Sequence, residues 1–121
     1  MGAVMQTVSA CEIDAGDMGS WTVDVAMPRH EELVSLNASV RDAPDDETRQ
    51  AVIMQAMAER ILAIRDLSTD DGREVLDVQG LQEHAGFYAL TMMRAFMHMQ
   101  DSCAGVILAG QQKNLRSSST V

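Results

Sequence analysis

The chain has 121 residues, 46% of them hydrophobic, with ten methionines, only 3% aromatics and a formal net charge of −9. That size and hydrophobic content exclude a disordered chain. They fit one domain, 1–121, with a modest aliphatic and thioether-rich core that suits helices better than an aromatic β-sandwich. The 18 acidic residues against nine basic ones exclude affinity built on phosphate neutralisation, so neither nucleic acid nor an anionic membrane is an expected partner.

In chain order, residues 1–19 are small and polar and end in Gly16 and Gly19. Val4, Val8 and Ile13 do not alternate cleanly, so this segment is expected to be loosely ordered. Met1 to Ala10 has no basic region or continuous apolar run of a secretion signal, and Gln6 stands where a myristoylation signal needs Ser or Thr. Trp21, Val23, Val25 and Met27 alternate with Ser20, Thr22, Asp24 and Ala26, which predicts a half-buried strand. Pro28 closes it and opens a short helix carrying Leu33, Leu36 and Val40. The sequon Asn37-Ala38-Ser39 lies in that helix and has no consequence in a cytoplasmic protein.

Arg41 to Asp46, with Pro44 and paired aspartates, reads as a loop ending in a helix cap. A second helix is predicted from Glu47 to Ile64, with Ile53, Met57, Ile61 and Ile64 as one stripe. Asp71-Gly72 signals a tight turn with an extended return through Val75, Leu76 and Val78. Asp77 is placed to cap a short helix reaching Leu81 and Glu83. From Gly86 to Gly110 the chain is a long helical candidate, stopped by Gly110 and followed by a frayed tail, 111–121. Phe87, Leu90, Met93 and Met97 form its first stripe, expected to pack on Ile53, Met57 and Ile61. Tyr88, Met92, Phe96 and Met99 widen it. The fold class predicted is α+β, mainly α: a small helical domain with a long C-terminal helix and a short N-terminal strand or β-hairpin.

No set of residues carries a catalytic or metal-binding signature. Cys11 and Cys103 are not in a CxxC pair, and two solitary thiols fit a reducing cytoplasm. The loop from Asp66 has its glycine one place late for a calcium loop and Asp77 where the bidentate Glu belongs. His30-Glu31 lacks the second histidine of a zinc-protease helix, and His84 and His98 lack a third ligand. There is no GxSxG motif or P-loop. The chain is therefore expected to be non-enzymatic, with no metal and no cofactor.

The long helix carries the functional content. Arg94, His98, Gln100 and Asp101 at its centre speak against a membrane span. Residues 1–77 hold 16 acids against six arginines, while the remainder is nearly neutral. Met92, Met93, Phe96, Met97 and Met99 are the candidate protein-binding residues, because unbranched thioether side chains adapt to varied apolar partners. Met92 and Met99, seven apart, share a face that is expected to stay available beside the core-facing one. Self-association through the same helix is a second use of that surface.

The order of elements also resembles the small tail assembly chaperones of long-tailed bacteriophages and prophages. The likeness covers residues 27–115. It rests on Met27-Pro28 before a helix, a second helix leading into Ile64-Arg65-Asp66-Leu67, the Asp-Asp-Gly turn, the step from Val78 to Glu83, the long last helix and Lys113-Asn114. The tryptophan often found before the acidic turn in that family is absent, with Arg65 and Asp66 in its place. The resemblance implies a non-enzymatic chaperone in the host cytoplasm that holds the apolar tape-measure protein soluble while the tail tube forms. Two other classes fit the composition: an acidic inhibitor imitating nucleic acid, and a structural head or connector component of the virion.

Overall fold

The computed structural model describes residues 2–119, with side chains through Gln111. Strands β1 (Val8–Asp14), β2 (Ser20–Ala26) and β3 (Ile61–Arg65) form an antiparallel sheet in that spatial order. Helices α1 (His30–Arg41) and α2 (Asp46–Ala58) lie between β2 and β3, and α3 (Val78–Leu81) and α4 (Ala85–Ser119) follow. The fold is α+β, mainly α, with the long helix at the C-terminal end, as composition and periodicity predict.

The first hairpin is the β-hairpin form of the expected N-terminus, although β1 lies within residues 1–19, a segment expected to be loosely ordered. β1 pairs along its whole length with β2, placing Cys11 opposite Val23 and Ile13 opposite Trp21. All four are buried. A single 3-10 turn, Gly16–Met18, joins the strands. Gly16 (φ 63°) and Gly19 (φ 99°) take the left-handed backbone this turn requires, which side chains disfavour. The pattern is weak in sequence because the inward positions of β1 are Ser9, Cys11 and Ile13. Ser9 is polar and is held by His98 Nε2 at 2.8 Å.

The predicted second helix is two elements. α2 starts at Asp46, one residue ahead of the expected Glu47, with the Asp45 carboxylate accepting from the Thr48 N–H at 2.7 Å. It ends at Ala58, and the stretch Ile61-Leu62-Ala63-Ile64 becomes the third strand. The register slips between Asp24 and Val25, so that Val25 faces Ile61 and Val23 faces Ile64. Such a bulge lets two residues three apart both point inward, whereas a regular strand would turn them to opposite faces. Three-residue spacing is also the helical signature, and that is why the sequence pattern reads these residues as a continued helix. Leu62, the extra residue, is exposed.

After β3 the chain doubles back as the Asp71-Gly72 turn predicts. Thr69 N–H donates to Arg73 O at 2.8 Å, Val75 N–H to Leu67 O at 2.9 Å and Ile64 N–H to Leu76 O at 3.0 Å. Val75 is thereby driven into the core. Asp77 caps α3 through the Gly80 N–H at 2.9 Å, and Leu81 is fully buried.

α4 is 35 residues long, about 50 Å at about 1.5 Å per residue. It packs against β1, β2 and α2, and α1 packs on α2. Gly110 does not stop it, since the helix continues to Ser119. Among the described residues no helix is long and apolar enough to cross a membrane.

Candidate interaction surface

α4 presents two apolar faces, and the sequence reading has them exchanged. Met92, Ala95 and Met99, spaced three and four apart, are fully buried, as is Thr91. They meet the inward side of the sheet: Trp21 Nε1 donates to Thr91 Oγ1 at 3.1 Å, and Thr91 Oγ1 donates to Phe87 O at 2.6 Å. The Trp21 and Phe87 rings lie 5.3 Å apart at 46°. Met92 and Met99 are therefore core, not an available surface. A sheet with Ile13, Trp21, Val23 and Val25 on its inner side needs a broad cover, and these two methionines supply it.

The other face runs Leu90, Met93, Met97, Ala104, Leu108. Leu90 and Met93 are half-buried, whereas Met97 and Leu108 are each 54% exposed. At about 100° per residue these five positions fall on one line along the helix. Gln100 lies near that line and donates through Nε2 to Asn37 Oδ1 of α1 at 2.6 Å. Of the five residues singled out from sequence, Met97 alone is openly exposed, Met93 and Phe96 are half-buried, and Met92 and Met99 are inside. The expected packing of Met97 on α2 gives way to solvent exposure, while Ile53 and Met57 of α2 are buried as predicted.

Beyond Cys103 every described residue of α4 through Gln111 is exposed. The stretch Ala104-Gly105-Val106-Ile107-Leu108-Ala109-Gly110 is apolar on all sides. Val106 is 76% and Ile107 60% exposed. A helix apolar all round is ordinarily enclosed. The apolar character of this stretch was legible in sequence, but its projection past the body was not.

At the opposite end of α4 lies a pocket of about 310 Å³. Leu67, Val75, Leu81 and Phe87 supply its apolar lining, and Ser68, Thr69, Asp70 and His84 its polar atoms. Sequence reasoning had no signal for it, because the hairpin return, α3 and the first turn of α4 meet only through tertiary packing.

Two acidic side chains, Asp71 and Glu32, are held by structural partners. Asp71 accepts from Thr69 Oγ1 and, at 3.1 Å, from Arg73 Nε, and the Thr69 bond first of all holds its carboxyl below the usual range. Hydrogen bonds from Arg60 and the Arg29 backbone do the same for Glu32, tying the start of α1 to the end of α2. Burial pushes the Cys11 thiol up, against the opposing charge of Arg94. Both cysteines are free thiols. Among the described residues no group of three or more His, Cys, Asp or Glu is placed to hold a metal ion. The chain matches no family model, no curated protein and no solved structure.

Proposed function

We propose that this chain is a non-enzymatic protein-binding module of the phage tail assembly chaperone type, which shields an apolar client such as a tape-measure protein in the host cytoplasm. The observation that carries this reading is the outer face of α4, where Met97 and Leu108 stand exposed on a line separate from the core face. Methionine, unbranched and polarisable, suits a surface that accepts several apolar side chains. The body beneath it is acidic, with 16 acids against six arginines over residues 1–77, so charge repulsion keeps a loaded complex dispersed.

Co-expression with a phage tape-measure protein tests the reading. The wild-type chain is expected to raise the soluble fraction of the client, and Met97→Glu combined with Leu108→Glu to abolish that gain while leaving the melting temperature unchanged. A client whose solubility ignores both changes overturns the reading. Complex formation that collapses in high salt points instead to the acidic face and to an inhibitor imitating nucleic acid.

A further inference from the structure

We propose that the pocket at the start of α4 receives the far end of α4 from a second copy of this chain. The pocket is apolar within and acidic around. Its lining joins Leu67, Val75, Leu81 and Phe87. The loop that builds it contributes Asp66, Asp70, Asp71, Glu74 and Asp77 against Arg73 alone, and Arg73 is already paired with Asp71. An occupant that satisfies it must bring aliphatic side chains followed by positive charge.

This chain contains such a segment. Residues 102–121 are its longest stretch without an acid and include Lys113 and Arg116. Val106 continues the line of Met92, Ala95 and Met99 past the end of the body and is 76% exposed. Lys113 stands seven positions further along the sequence. The segment also needs a neighbour. Gly105 and Gly110 weaken the helix here, and a helical stretch without packing is marginal in water.

The chain's own arm cannot fill its own pocket. Phe87 and Val106 are nineteen residues apart on one continuous helix, on the order of 28 Å. The arm of one copy and the pocket of another therefore meet between molecules, either reciprocally in a two-fold pair or onward from copy to copy. This contact uses the Val106 side of the arm. The outer line through Met97 is untouched by it, so the client reading and this one stand or fall separately.

Sedimentation of the full chain over a concentration series, in low and high salt, is the test. The wild type is expected to associate, and more weakly in high salt. Val106→Asp, Lys113→Glu and Asp70→Lys are each expected to weaken association by roughly tenfold or more, with circular dichroism melting unchanged. Lys113→Glu combined with Asp70→Lys restores the charge pairing and is expected to recover much of the loss. A wild-type chain that stays monomeric at all concentrations overturns the proposal, and so does an association indifferent to Val106→Asp and Asp70→Lys. Met97→Glu serves as the control that leaves association intact.

Discussion

Trp21 Nε1 on β2 donates a hydrogen bond to Thr91 Oγ1 on α4 at 3.1 Å, with both side chains buried. The bond ties the long helix to the inner side of the sheet. Thr91 Oγ1 in turn donates to Phe87 O, so the hydroxyl is donor and acceptor at once. Thr91→Val keeps the shape and strands the indole N–H. The expected loss is about 1–3 kcal/mol, measured by urea denaturation with the fluorescence of Trp21, the single tryptophan of the chain, as the probe.

The rotation of α4 is tested at the methionines. Met99→Ala is expected to cost about 2–5 kcal/mol, the usual range for opening a buried cavity. Met97→Ala, on the outer face, should stay within about 0.5 kcal/mol of wild type. Equal losses at the two positions would mean that the helix is turned differently on the sheet.

The bulged third strand makes a similar contrast. Ile64 is 2% exposed and Leu62 57%. Ile64→Ala is expected to cost about 2–5 kcal/mol, whereas Leu62→Lys should be nearly neutral. Hydrogen exchange should find the Ile64 amide protected, because it bonds across to Leu76 O at 3.0 Å.

The two thiols should differ in reactivity. Cys11 is 4% exposed and burial raises its pKa, while Cys103 is half-buried near the end of the body. Alkylation of the native protein, followed by mass spectrometry, should label Cys103 first. In denaturant both should react at similar rates.

Acid should destabilise the fold through its hydrogen-bonded carboxylates. Glu32, Asp45 and Asp71 all have lowered pKa values, Asp45 chiefly through its bonds to Thr48. A carboxylate depressed in the folded state contributes stability that is complete above its unfolded pKa and is lost as pH falls through its folded pKa. The melting temperature should therefore fall on the acid side. Asp45→Asn keeps an acceptor at the cap but cannot titrate, so its deficit relative to wild type should shrink as pH drops.

Much of the local structure was legible from single residues. Pro28 separates β2 from α1, although it precedes the cap Arg29 and so lies outside the helix it was expected to open; an aspartate caps α2, Asp77 caps α3, and Asp71-Gly72 turns the chain, because each acts through its own backbone geometry or a bond to a near neighbour. β1 was hidden because Ser9, at an inward position, finds its partner in His98, 89 residues away. β3 was hidden because a bulge gave Ile61 and Ile64 helical spacing.

What the sequence by itself determined is the class of the fold and the existence of a long helix rich in apolar side chains on more than one face. Which face is buried was decided by tertiary structure. Periodicity places Leu90, Met93 and Met97 on one line and Met92, Ala95 and Met99 on another, and either could serve as a core face. The sheet broke the tie. Trp21 bonds Thr91 and Ser9 meets His98 from the sheet, while Asn37 of α1 holds Gln100, and all three bonds agree with Met92 and Met99 turned inward. Burying them leaves Met97 in solvent, because a helix rotated to satisfy one apolar line turns the other away from the body, whereas Leu108 is exposed because α4 has passed the body by that point.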